Sequence, residues 1–562
     1  MARTLNLSDI QGNVLRPYGL PKARFFLLNI QSSDKGAQEG RKLVEALRHR
    51  VTTALPWKPR RSTPVSSGDS TLPPKPKVTI NLAFTFWGLA ALGLPPATLR
   101  TMPDEFIEGM KARASLLGDD VCRRDGRDRR ESLDHWDPVW KGTGSDQQVH
   151  VLVSVYADMN SDGSPVAELE ATTQWLLGLC DQSGGLVRAL KGHAGTDLPY
   201  QESAMLLEPD GNGNQQVSFK EHFGFTDGYG DPVFEGQYPP EQEKINLPGG
   251  GKILPDQTWA PLATGEFLLG YPDEAQEVPP ASFPLEFTHN GTFVAYRKLH
   301  QNVDGFRAYL EQEATKYMKV NGINSLEDAK EILGAKMVGR WSDGVPLTKA
   351  PTLSDWRAFQ ARDKAVRATG DPVAIAAADL EFVDFKYRAD PEGAKCPFTS
   401  HLRRTNTRDG LDPTGPTTNP LPSEVTKVEA QPGNGSVINN RRRLLRRGMV
   451  YGKSDGTNAR DEAEHGIIFM AVCASLFRQF EFVQQQWIQY GLDFNVGNDT
   501  CPLLGNHGEG AKYVIPGDRQ TGTRPFVCAN LPQFVEVRGG DYFFIPSITA
   551  LRMIAMGTID PT

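Results

Sequence analysis

Apolar residues recur along the chain with two periods. Ala23–Ile30, Lys77–Thr85 and Gln148–Tyr156 (QVHVLVSVY) read as strands, the last by strict alternation. Gly36–Val51, with Leu43, Val44 and Leu47, and Val166–Cys180 carry helical spacing, and Gly185–Lys191 reads as a fourth strand. A short helix is expected near Trp87–Leu94. The order strand–helix–strand, strand–helix–strand suits an antiparallel sheet with helices on one face.

From about 235 to 285 the pattern breaks at Pro239–Pro240, Gly249–Gly251 and Pro279–Pro280, with one expected strand, Glu266–Tyr271. It then resumes. Gly291–Leu299 and Gly466–Cys473 read as strands, and Val303–Met318 and Leu476–Tyr490 as helices. Phe534–Val537 and Asp541–Ile545 read as a hairpin over Gly539–Gly540. The expected organisation is an N-terminal unit over 1–235, a connector over 236–285 and a C-terminal unit over 286–562, with a long irregular insertion at about 335–445. The two units resemble one another in element order alone.

Composition narrows the class. The 562 residues include 55 Gly and 41 Pro, so long loops are expected, and the net charge of −7 disfavours a nucleic-acid partner. The six cysteines form no CxxC and no CxxCH, which points to a reduced protein without covalently attached haem. The N-terminal segment lacks the apolar core of a secretory signal, so a cytoplasmic location is expected. Val78–Leu99 is uncharged but holds two prolines and alternates like a strand, and Gly466–Phe477 is shorter than the roughly 18 residues a spanning helix needs, so no membrane association is expected.

Three segments hold candidate chemistry. In Gly224-Phe225-Thr226-Asp227-Gly228, glycines bracket a lone carboxylate and fix its angle; the ordinary alternative is an Asp-Gly turn. In KCPFTSHLRRTNTRD, His401 sits among arginines, either as a metal or haem ligand or within a solvated basic loop. In RRRLLRRGMVYG, five arginines fall within seven positions, either as a nucleic-acid patch or beside a buried strand edge, with Arg441–Arg443 as an ordinary solvated face and Arg446 directed inward. His222 lies beside the Gly-Asp-Gly turn, and His465 opens an apolar strand.

In that order, the segments resemble the dye-decolorizing peroxidases, a family of haem enzymes with a GxxDG motif. LSDIQGNVLRPYG, EFLLGY, GTFVAYRKL and FVEVRGGDYFFIPSITALR are similar to further segments of the family, so the resemblance runs nearly end to end. The length and the TDG form of the motif suggest its longer branch. The departures are Val450 where the family usually has Pro, and a 45-residue separation of His401 from Arg446 that the Gly410–Asn440 insertion absorbs.

The resemblance implies an α+β fold of two ferredoxin-like domains, with antiparallel sheets, peripheral helices and non-covalent haem b between them. It implies reduction of hydrogen peroxide and oxidation of dyes, phenols and other aromatic donors, with iron haem as cofactor. By that likeness His401 is the axial ligand, Asp227 the distal acid and base, and Arg446 the group that polarises the O–O bond, with Arg447 as its nearer competitor. Gly228 lies against the cofactor, Arg408 and less strongly Arg297 bind propionates, and Ile467 and Phe469 line the distal pocket. Asp499 is the expected carboxylate on the second nitrogen of His401. The competing function is a haem-handling, iron-releasing protein with little peroxidase turnover.

Overall fold

Strand β1 (Lys22–Ile30) is buried at all nine positions, because alternate side chains enter two different cores. Phe26, Leu28 and Ile30 join one hydrophobic cluster, and Phe25 and Leu27 join another on the opposite face. The same division runs through β2 (Val78–Phe84) and β3 (Val151–Ala157), where Val151, Val153 and Val155 enter the first cluster and Leu152 and Tyr156 the second. In this computed structural model residues 5–58, 72–119, 133–279, 281–411, 435–453 and 464–559 are described.

Helix α1 (Asp34–Arg48) starts at Ser33, whose side chain accepts from the Gly36 N–H, and buries Leu43, Val44 and Leu47. Helix α2 (Ala167–Gln182) buries Leu169, Leu176 and Cys180, and leads into β4 (Val187–Ala189). The strands lie in the antiparallel order β2-β3-β1-β4. The C-terminal elements repeat this plan. They are β5 (Thr292–Gln301), α3 (Val303–Asn321), β6 (Leu445–Arg446), β7 (Met449–Tyr451), β8 (Gly466–Cys473) and β9 (Val535–Ile545). Here the order is β9-β5-β8-β6, with β7 also on β8. With β6 and β7 counted as one interrupted strand, the first strand in each half lies between the third and the fourth, which is the ferredoxin-like arrangement. Phe544 of β9 pairs with Phe84 of β2, so the two halves form one ten-stranded sheet.

Three expectations are corrected. Glu266–Tyr271 is not a strand but a turn of 3-10 helix (Thr264–Glu266) followed by loop. The glycine pair at 539–540 makes no hairpin: β9 is continuous, with Arg538 as the extra residue of a bulge opposite Lys298 and Leu299. Gly539 has φ +128°, and a Cβ there would lie 2.1 Å from the Trp140 ring, so close packing rather than chain reversal explains this glycine. Finally, 335–445 is not structureless. It contains helices Leu353–Ala368 and Pro372–Glu381, whose mostly polar or Ala-rich faces bury little and so give no strong apolar period. Most of the expected 410–440 insertion lies outside the described residues.

A third cluster packs beneath the C-terminal helices, with Phe225, Phe306, Trp341 and Trp487 among its members. Among the described residues no helix is long and apolar enough to cross a membrane.

Candidate active site

Two backbone anchors hold Asp227. The Asp227 N–H donates to the Phe219 carbonyl at 2.8 Å, and Thr226 donates through its N–H and its hydroxyl to the Ser342 carbonyl at 2.9 and 3.0 Å. Gly224 and Gly228 have φ of +97° and +94°, which glycine adopts without strain, so the chain reverses on both sides of the carboxylate. Glu221 braces the turn by accepting the N–H groups of Phe223 and Phe225, both at 2.9 Å. Nothing in the sequence singled out Glu221, because its role depends on this closed turn.

Arg446 reaches the same point from the sheet. β6 alternates, so Leu445 is fully buried in the core while Arg446 projects away from it. Its Nη2 forms an ion pair with Asp227 Oδ1. Both side chains keep about 40% of their surface accessible, but that surface faces a cavity rather than bulk water. Burial pushes the Asp227 carboxyl up, yet the charge and hydrogen bond of Arg446, the Gly228 N–H and the charge of His401 outweigh it, and the net shift is below the ordinary value. Asp227 in turn holds Arg446 above the usual guanidinium range. The Gly228 N–H also donates to Oδ1, at 2.8 Å. Both donors therefore converge on one oxygen, Oδ1. The neighbouring Arg447 is committed elsewhere, to Asp231 and to the carbonyls of Asn13 and Val14.

His401 opens the short helix α4 (His401–Thr405) on another wall of the same cavity. Its Nδ1 lies 3.3 Å from Cys501 Sγ. The expected carboxylate, Asp499, does not meet the imidazole. Its Oδ1 accepts from Lys512 at 2.9 Å and its backbone carbonyl accepts from Arg404, so a neighbouring cation has turned the side chain away. Burial pushes the Cys501 thiol up, but the charge and hydrogen bond of His401, the charge of Arg404 and the Leu504 N–H outweigh it, and the net shift is downward. His465 is buried and does not line the cavity; its ring centroid lies 5.0 Å from His222 and 5.5 Å from His300.

The cavity measures about 620 Å³. Residues from both halves of the chain line it, Tyr156 and Asp227 from one and His401, Arg446, Ile467 and Phe469 from the other. Gly228 lines it as well. Arg297 contributes a guanidinium that pairs with Asp119 through Nη2, while its Nε and Nη1 have no protein partner among the described residues. Arg408 is a correction. It is buried off the cavity, donating to the Phe385 carbonyl at 2.5 Å, with its guanidinium 3.7 Å from the centre of the Phe385 ring. At φ +48° its backbone turns the side chain into the loop core. Arg340 and Arg443, not foreseen from the sequence, line the cavity instead, and burial pushes each down to about 10. Burial also pushes the cavity-lining Glu221 up to about 7.

The donor set fits a haem. One imidazole nitrogen is free of Cys501, apolar walls at Ile467 and Phe469 suit a macrocycle, and the unpartnered nitrogens of Arg297 suit a propionate. Among the described residues no group of three or more His, Cys, Asp or Glu is placed to hold a bare metal ion.

The chain resembles known proteins in sequence and in fold. Residues 9–188 match the DyP dimeric alpha+beta barrel domain. The chain is 26% identical to the dye-decolorizing peroxidase AauDyP1 of Auricularia auricula-judae, over 98% of this chain and 87% of that protein. It is 25% identical to Peroxidase 2 of Mycetinis scorodonius, with the same coverage. The multifunctional dye peroxidase DyP2 of an Amycolatopsis is 29% identical over 68% of this chain and 72% of its own. In fold, the chain matches the crystal structure of a fungal DyP-type peroxidase from Auricularia auricula-judae with a TM-score of 0.66, at 22% identity, covering 99% of this chain and 100% of that one. Over nearly its full length, then, the chain is similar to dye-decolorizing peroxidases, and it shares their fold.

Proposed function

We propose that this protein is a peroxidase that binds haem b non-covalently, reduces hydrogen peroxide and oxidises dyes, phenols and other aromatic donors. One observation carries this reading: Asp227, paired with Arg446, and His401 line a single cavity. The relatives named as dye-decolorizing peroxidases support the substrate class.

In this reading His401 would hold the haem iron, and Arg297 with Arg340 or Arg443 would pair with the propionates. Haem bound there would supply the redox chemistry that links peroxide reduction to oxidation of the aromatic donor. The protein's own residues manage the protons and the charge. Asp227 Oδ2 takes a proton from one peroxide oxygen and returns it to the other as the O–O bond breaks. Because Arg446 keeps Asp227 ionised, that base is present in mildly acidic solution. The Arg446 guanidinium stabilises the negative charge that grows on the leaving oxygen. Ile467 and Phe469 exclude bulky molecules from this space, so peroxide enters and large reductants act from outside.

A haem-handling role with little turnover needs the axial histidine but not a paired carboxylate and guanidinium, so the Asp227–Arg446 pair favours the enzyme. The test is spectroscopic. Haem-supplemented protein is expected to show a Soret band that shifts within seconds of adding peroxide, and to turn over a phenolic donor. A Soret band that peroxide leaves unchanged would assign the protein to haem handling.

A further inference from the structure

A histidine that ligates a metal donates its other ring N–H to an acceptor, and that acceptor sets the tautomer, the ring angle and the electron-donating strength of the ligand. The usual acceptors are carboxylates, backbone carbonyls and water. His401 has a different one. Cys501 Sγ stands 3.3 Å from Nδ1, and the cysteine is completely buried.

The sulfur is held there by a rigid frame. The Cys501 N–H donates to the Ile488 carbonyl at 2.8 Å, and the Cys501 carbonyl accepts from the Gly505 N–H and from His507 Nε2, both at 2.9 Å. Arg404, three residues after His401 on α4, is also completely buried. It donates to the carbonyls of Trp487 at 2.9 Å, Tyr490 at 2.8 Å and Asp499 at 2.6 Å. One guanidinium thus ties the helix that carries His401 to the segment that carries Cys501. Asp499 is only two residues from Cys501, yet its carboxylate is taken by Lys512. The frame therefore presents a sulfur, and not the nearby carboxylate, to the imidazole.

We propose that Cys501 is the positioning partner of His401, orienting the ring through its sulfur and limiting how strongly the imidazole donates to haem iron; this rests on the haem-peroxidase reading above. Sulfur is a weak acceptor, so it aligns Nδ1–H while withdrawing little of the proton. A carboxylate in the same place withdraws more and makes the ring a stronger donor, which stabilises the oxidised metal. The iron(III) state in this chain is then less stabilised than it would be with Asp at position 501.

The experiment uses the haem-loaded full chain as wild type, Cys501→Ser, Cys501→Ala and Cys501→Asp. Two readouts are independent of turnover: the iron(III)/iron(II) midpoint potential, and the iron–imidazole stretching frequency of the reduced protein. All four proteins are expected to keep a Soret band. Cys501→Asp is expected to lower the midpoint and raise the stretching frequency. Cys501→Ala is expected to raise the midpoint and lower the frequency. Cys501→Ser, which retains a weak acceptor, is expected to stay near wild type and to carry the comparison with Cys501→Ala if the Asp variant does not fold. Identical midpoints and frequencies across the variants, with Soret bands intact, would overturn the role of Cys501 and leave the haem reading standing. A wild type that takes up no haem would overturn both.

Discussion

Two walls of one cavity organise their key side chains by opposite means. Around Asp227 the work is electrostatic. Arg446 and the Gly228 N–H converge on Oδ1, and full charges meet directly. Around His401 the work is steric and backbone-based. Its partner is a buried thiol, and the charged groups nearby, Arg404 and Asp499, are absorbed by carbonyls and by Lys512. A group that must exchange protons is well served by charge that can be retuned. A group that must hold its position is well served by packing.

Breaking the His401 wall is expected to have the largest effect. His401→Ala should abolish haem binding, read as loss of the Soret band after reconstitution, whereas His465→Ala should retain it, because His465 lies off the cavity. The reverse result would exchange the two roles.

On the other wall, Asp227→Asn should keep the haem but slow the reaction with peroxide by about 10²–10⁴, the usual worth of a positioned acid and base. Stopped-flow measurement of the Soret shift reads this directly, and an unchanged rate would remove Asp227 from the chemistry.

Arg446→Leu sharpens the comparison through pH. The rate should fall by about 10²–10³. In the wild type Asp227 sits below its ordinary value, so its base form persists as pH falls and the rate should drop only below the ordinary aspartate range. Without Arg446 the upward push of burial is opposed only by the Gly228 N–H and the charge of His401, and the acid limb should move to higher pH. An acid limb that does not move would show that Arg446 does not set the Asp227 charge.

Arg404→Met tests the packed frame. It strands the carbonyls of Trp487, Tyr490 and Asp499, and should destabilise the fold by about 3 kcal/mol or more, measured by denaturant unfolding. Asp499→Asn should do least. It breaks only the pair with the half-exposed Lys512, worth about 0–1 kcal/mol, and should leave the haem spectrum unchanged.

Much of this molecule was legible in order of elements. Apolar runs or alternation marked the strands that became β1, β3, β5 and β8, because strands buried on both faces or alternating between two cores leave a local trace. The pair Gly539–Gly540 misled for a physical reason. A glycine that admits a tryptophan ring and one that permits a turn look identical in one dimension.

The sequence by itself singled out three candidates inside their own local motifs, Asp227 between its glycines, His401 in its basic segment and Arg446 after the buried Leu445, and the structure brings all three to one cavity. Those choices depend on backbone geometry within a few residues. Tertiary structure alone decided partners distant along the chain. Cys501 rather than Asp499 meets His401, across 100 residues, because Lys512 and Arg404 orient the intervening segment. Arg340 and Arg443 rather than Arg408 face the cavity, because a left-handed backbone at 408 turns that guanidinium onto Phe385. Side-chain direction across such separations depends on which neighbouring charges and carbonyls are already satisfied, and a linear pattern carries no record of that.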